Sequence, residues 1–282
     1  ALAALLPDAE LSSWARIALE AIPGEAADAA LREAMGKLQG RLLVGVINSL
    51  GVRRDGKAVD ALIARLKDAD ADVASVSALT LGRIGGDAAT QALEASLATA
   101  AEGVRSAVAE GCILCAERLA AAGKTADAVR IFTAVTKASV PTQRVLEATR
   151  GLILVQGSAG VPLLREQLQS ADKARLALGL RVARELPGPE VTEALIAELS
   201  KAPPQKQALL ILALAAGVSW AFVAIASRGP GSPLWPVAWD VLSTLALYLF
   251  VGHLVARHRS FVEQVRSLAR VDSETGALSR RE

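Results

Sequence analysis

The chain has 282 residues, 52% of them hydrophobic, with 31 Lys and Arg against 29 Asp and Glu. The resulting net charge of +2 excludes an electrostatic case for a nucleic-acid partner, which requires a clear basic excess. Aromatics are only 3% and alanine carries much of the apolar share, a composition that favours close-packed helices over β-sheet.

Residues 1–207 hold two aromatics, Trp14 and Phe132, and the other seven lie in the last 75 residues with both histidines, His253 and His258. The chain starts at Ala1 without Met, shows no signal peptide there, and stops at Glu282 in mid-pattern, so both ends are expected to be cut from a longer chain.

In 1–207 the punctuation recurs. Asp68, Asp70 and Asp72 offer a helix cap, and Val73, Val76, Leu81 and Ile84 fall on one helical face. Gly85 and Gly86 then end the helix, and a second helix follows over 88–98. Earlier, 43–50 reads as a helix ending at Gly51, followed by 58–66. Later, 171–186 ends at Pro187-Gly188 and is followed by 191–199, with 202–214 as the next first helix. Matched positions lie about 31 residues apart, the spacing of paired-helix repeats. The middle, 102–157, is looser, and 121–132 has the flavour of a tetratricopeptide helix pair.

The run Asp-x-Asp-Val-x-x-x-x-Ala-x-x-Leu-Gly-x-Ile-Gly over Asp70–Gly85, with its echoes, resembles HEAT-repeat proteins of the short bacterial type across residues 1 to about 214. The resemblance implies an all-α, HEAT-like solenoid and a protein partner docked on its surface. It implies no activity: some related families are lyases, but these residues show no acid/base constellation. The expectation is a chain with no catalytic residues, no metal site and no cofactor.

Cys112 and Cys115 form a lone C-x-x-C, readable as a redox pair, half a zinc site or small buried residues. No second pair or nearby His completes a zinc site, and the two positions share one helix face, so core is the preferred reading. Arg53, Arg54, Lys57, Arg65 and Lys67 read as a basic patch for an acidic partner or, preferred, as solvated faces and loops. Trp14 is expected to lie buried under the first helices, an exposed anchor being the alternative.

Residues 208–256 read as a two-helix membrane hairpin. Ala208–Ala226 is 19 residues without a charge, and Val241–Ala256 is a second uncharged run. A span needs roughly 20 apolar residues. Trp220, Trp235 and Trp239 are candidate membrane-interface aromatics, and 227–236 is a Gly/Pro turn. Lys201 and Lys206 precede the first run, Arg257, Arg259, Arg266 and Arg270 follow the second, and the turn carries only Arg228. That asymmetry predicts a cytoplasmic array and C-terminus, with lipid against 208–256. The competing reading is a soluble apolar cap, because 209–214 also fits the buried helix of a repeat. Asp240 and His253 read as interface residues.

Residues 257–282 begin as an amphipathic helix over 257–270 with an apolar stripe of Phe261, Val265 and Leu268, suited to pairing in a homodimer. Residues 269–282 resemble the opening of GGDEF-family diguanylate cyclase domains, Asp-x-Leu-Thr-Gly-Leu-x-Asn-Arg-Arg. Asp272, Thr275, Gly276, Arg280 and Arg281 match; Glu274, Ala277 and Ser279 depart, and Ser279 replaces the Asn that in the family helps hold nucleotide. The resemblance extends loosely over 216–268 to the last spans of membrane-anchored cyclases. The chain ends before any metal-binding carboxylates of that family.

Three organisations follow: a membrane-tethered docking scaffold, the sensory part of a truncated diguanylate cyclase in cyclic-di-GMP signalling, or a join of two unrelated gene pieces near 207–217. In the last case the array is free to be an exported protein.

Overall fold

Asp70 shows how local chemistry starts these helices. In the computed structural model its carboxylate accepts backbone hydrogen bonds from Asp72 (2.9 Å) and Val73 (3.5 Å), opening α5 (Ala71–Ile84). Gly85 and Gly86 then take φ of +75° and +91°, ending α5 as expected. The structure describes residues 1–214, apart from 187, 204, 205, 208 and 212. It divides into two compact units, Ala1–Gly160 and Val161–Glu282, a boundary inside the stretch expected to form one array.

The first unit runs α1 (Ser12–Ala21), α2 (Glu25–Lys37), α3 (Gly40–Arg53), α4 (Val59–Ala64, between 3-10 turns), α5, α6 (Asp87–Leu97), α7 (Glu102–Ala121), α8 (Thr125–Lys137) and α9 (Thr142–Gln156). The odd-numbered helices α1, α3, α5 and α7 pack side by side in sequence, and α4, α6 and α8 form a second series. Every described element of regular structure is helical, so the described residues are all-α, and the first unit is a helical-repeat solenoid.

A 31-residue register runs through this packing. Leu19, Leu50, Leu81 and Cys112 occupy one series, Ala27, Ala58 and Ala89 a second, and Leu31, Leu62 and Leu93 a third; all are buried. Each buried leucine contributes about 1.5–3 kcal/mol, and the repeat is this set of contacts made again every 31 positions. The register stops after α7, which runs 20 residues against 14 for α3 and α5. The looser middle expected from the sequence begins there.

Gly51 is not the stop expected from the sequence. α3 continues through it to Arg53, and the chain turns at Arg54 with φ of +53°. Gly51 faces α5 instead: a Cβ there would sit 3.0 Å from Thr80 Oγ1. The same need for close approach recurs one repeat later. A Cβ on Gly82 would lie 2.7 Å from the Cα of Gly111, and one on Gly111 would lie 2.6 Å from the carbonyl oxygen of Ala78.

The second unit begins with α10 (Val161–Gln169), α11 (Lys173–Glu185) and α12 (Pro189–Leu199), with α10 packed on both others. Asp172 caps α11 by accepting from the backbone of Ala174 (2.7 Å) and Arg175 (3.2 Å). Leu164, Leu168, Val182 and Leu195 are buried between them. Beyond α12, Gln207 donates from Nε2 to the Leu199 carbonyl at 3.4 Å. Leu210, Ala213 and Leu214 are buried while Leu209 is 44% exposed, so the opening of the first uncharged run has a one-sided burial pattern here. No helix among the described residues is long and apolar enough to cross a membrane.

Candidate docking surface

Several polar side chains in the first unit join neighbouring repeats. Arg53, at the end of α3, donates to the carbonyls of Leu19 (2.9 Å), Glu20 (3.1 Å), Ile22 (2.7 Å) and Gly24 (3.1 Å), and pairs with Asp28. Leu19 and Glu20 are in the last turn of α1, whose carbonyls have no helical partners, and Ile22 and Gly24 follow in the α1–α2 connection. The Asp28 contact holds the Arg53 guanidinium above its ordinary pKa. Arg118, in α7, repeats the device two repeats on, donating to the Arg83 carbonyl at the end of α5. Thr80 donates to the Ile47 carbonyl at 3.1 Å, and Arg16 donates to the Gly45 carbonyl at 3.1 Å. Asp55, buried, accepts from Arg32 at 2.5 Å and from the backbone of Lys57 at 3.0 Å.

The basic cluster 53–67 is therefore not one patch. Arg53 is internal, and Arg65 is tied to the Met35 carbonyl at 3.1 Å and to Asp68 at 3.0 Å. Lys57 pairs with Glu25 at 2.9 Å, and Arg54 and Lys67 are exposed. Loop and surface placement holds for Arg54, Lys57 and Lys67; the capping by Arg53 was not readable, since nothing in the spacing distinguishes it from its neighbours.

A cavity of about 400 Å³ lies where the α2–α3 and α4–α5 connections meet, lined among others by Lys37, Gln39, Gly40, Arg65, Asp68 and Asp70. Its charged groups already have partners: Lys37 with Glu33 at 2.5 Å, Arg65 with Asp68, and Asp70 with the start of α5.

Cys112 and Cys115 are buried and free, as the core reading expected. Cys112 stands in the leucine series, and burial pushes its thiol pKa up. Burial raises Cys115 as well, against a hydrogen bond from Thr90 and the charge of Arg118. Among the described residues no group of three or more His, Cys, Asp or Glu is placed to hold a metal ion. The thiolate is the reactive form. Native chain at pH 8 is therefore expected to leave both thiols unmodified by an aromatic disulfide reagent on the timescale that labels a free thiol, and to release two equivalents once unfolded in guanidinium. Fast labelling of the native chain would contradict the assignment.

Trp14 is a correction. It is 72% exposed rather than buried under the first helices, and Leu5, Leu11, Ile17 and Ile22 beside it in sequence are exposed too. α1 buries Ser12, Ala15 and Leu19, and Trp14 points off that face. One repeat on, its place is taken by Gly45, where a Cβ would come within 2.7 Å of the Arg16 guanidinium. A tryptophan has no room at this position inside the stack. Elsewhere among the described residues the exposed large apolar side chains are isolated: Val52, Ile196 and Leu209.

Trp220, Trp235 and Trp239, the hairpin 208–256 beyond Leu214, the helix 257–270 and the motif residues Asp272, Thr275, Gly276, Arg280 and Arg281 lie outside the described residues.

Residues 40–112 match a family model described as HEAT repeats. They run from the start of α3 to the fourth member of the leucine series, the stretch in which the 31-residue register is kept. No curated protein matches the chain. Among solved structures it is similar to the complex of CpcE and CpcF of phycocyanin lyase from Nostoc sp. PCC7120. That match is 21% identical over 86% of this chain and 93% of that one, with a TM-score of 0.44. It is also similar to human deoxyhypusine hydroxylase in complex with glycerol, 17% identical over 88% of this chain and 94% of that one, with a TM-score of 0.41.

Proposed function

We propose that this HEAT-repeat helical protein is a scaffold that docks another protein and performs no catalysis itself. One observation carries the reading: Arg16, Arg53, Thr80, Asp55 and Arg118 are consumed in joining repeats. The side chains left outward at matched positions, such as Ala29, Asp60 and Gln91, belong to a repeated exposed surface rather than to a converging pocket. Repeated surfaces of this kind suit extended contact with a macromolecule. The uncharged runs over 208–226 and 241–256 support holding that scaffold at a membrane, with the array in the cytoplasm.

The test places a photoreactive amino acid at position 29, 60 or 91 of the full chain, expressed in its source cells. Irradiation is expected to join the same protein at two or more of the three positions, with the chain retained in the pellet after an alkaline carbonate wash. Absence of any adduct at all three positions overturns the scaffold, and full release by carbonate overturns the tether alone.

A further inference from the structure

Positive charge in the second unit is concentrated on α11. This helix carries Lys173, Arg175, Arg181 and Arg184 with Glu185 as its one acid, and no other described helix holds more than two cations. The neighbouring acids leave most of that charge in place. Asp172 is spent on the backbone of Ala174 and Arg175, and Glu185 accepts from Arg181 at 2.9 Å. Arg184 donates only to the Leu180 carbonyl of its own helix, at 3.2 Å, and among the described residues Lys173, Arg175 and Arg184 have no carboxylate partner. The packing of α11 sets which way this charge points. Gly179, Val182 and Ala183 are its buried residues, and a Cβ on Gly179 would stand 3.0 Å from Leu168 Cδ2, so that face lies tight against α10. Lys173, Ala177, Arg181 and Arg184 fall on the opposite side, at i, i+4, i+8 and i+11, and all four are exposed.

The shape of this face and the chain that follows it name an occupant. Lys173 and Arg184 stand about 16 Å apart along the helix axis, and the residues between them on the outward side, Ala174 and Ala177, are small. Cations strung along a helix with no bulk between them do not converge on one small anion; they match an extended anionic surface. Lys201 and Lys206 continue the basic character beyond α12, and the uncharged run 208–226 follows directly in sequence. A cytoplasmic leaflet carries anionic lipid and attracts basic segments held near it. We propose that the outward face of α11 lies on a membrane surface and takes anionic phospholipid headgroups, with Lys173, Arg181 and Arg184 as the contacting cations. The inference rests on the membrane tether proposed above and adds to it a second contact, made by a folded helix and selective for lipid charge.

The test places an environment-sensitive fluorophore on Ala177→Cys in the full chain, the native thiols Cys112 and Cys115 being buried. The chain is reconstituted in vesicles of phosphatidylcholine alone or mixed equally with phosphatidylglycerol. Emission is expected to shift to the blue in the anionic vesicles only, and to return in concentrated sodium chloride as screening removes the attraction. Lys173→Gln together with Arg184→Gln is expected to lower the bound-to-free ratio read from the emission about 30-fold, the effect of two cations at an anionic surface. Both positions are exposed, and circular dichroism checks that the double variant stays helical. An equal response in neutral vesicles, or a double variant that keeps the full response, overturns the contact. So does a shift with soluble polyglutamate in neutral vesicles as large as that with phosphatidylglycerol, which would assign the face to an acidic protein. An alkaline carbonate wash reads the tether separately. Retention in the pellet with no response to phosphatidylglycerol overturns the lipid contact alone, and release overturns the tether and this inference with it.

Discussion

Valine at Gly111 is expected to destabilise the protein by about 3 kcal/mol, measured as a fall in the urea midpoint followed at 222 nm. The added Cβ would stand 2.6 Å from the Ala78 carbonyl oxygen, a backbone atom that cannot swing aside, and 3.0 Å from a methyl of the buried Leu93. Overpacking of this kind usually costs about 1–3 kcal/mol; the upper end applies because α5 and α7 would have to separate along their length to relieve it. Gly82→Val meets the Cα and carbonyl of Gly111 at 2.7 Å and is expected to act in the same direction. Intrinsic propensity pulls the other way, since valine is the better helix former by a few tenths of a kcal/mol. Gly103→Ala is the control. It lies in the first turn of α7 with nothing within 4 Å of an added Cβ, and is expected to stabilise by about 0.5–1 kcal/mol. Equal effects at 103 and 111 would show that the α5–α7 approach is not what makes glycine necessary.

Arg53→Ala is expected to lower stability by about 2–3 kcal/mol in the same measurement. The substitution strips four carbonyls near the end of α1 of their donor and leaves Asp28 without its partner. Hydrogen bonds to a charged group are worth about 1.5–3 kcal/mol where their loss leaves buried acceptors unmade; part of this is returned here because the outer carbonyls, at Ile22 and Gly24, can reach water. Arg53→Lys keeps the charge beside Asp28 but replaces a planar fork with a single ammonium. It is expected to recover less than half of the loss. Full recovery by lysine would mean that charge alone, rather than the bridging of several carbonyls, is what Arg53 contributes. Arg54→Ala, at the neighbouring exposed position, is expected to change stability by no more than about 0.5 kcal/mol.

These residues show which parts of the protein were readable. Asp70 and Gly85–Gly86 act within a few positions of themselves, so the cap and the turn follow from local chemistry. The buried series follows from periodicity, and Cys112 was legible as core because it sits on a helix face with other small apolar residues. Gly51 was misread as a stop because a glycine that ends a helix and one that admits a neighbouring helix look alike in sequence. Only Thr80, 29 residues further on, separates the two. Trp14 was misread because burial is the usual fate of a large aromatic in an alanine-rich array, and the crowding at Gly45 that forbids it there depends on Arg16 reaching across from α1.

By itself the sequence determined the helical class, the paired-helix repeat, its spacing of about 31 residues and the start and end of the clearest unit, all properties written in short-range pattern. The tertiary structure decided which glycines are contacts and which are turns, which arginines join repeats and which face water, and that the largest aromatic of the array stands outside it. Those outcomes depend on atoms brought together from positions about one repeat apart, and a side chain's role at such a contact is set by the space and the partners it finds there.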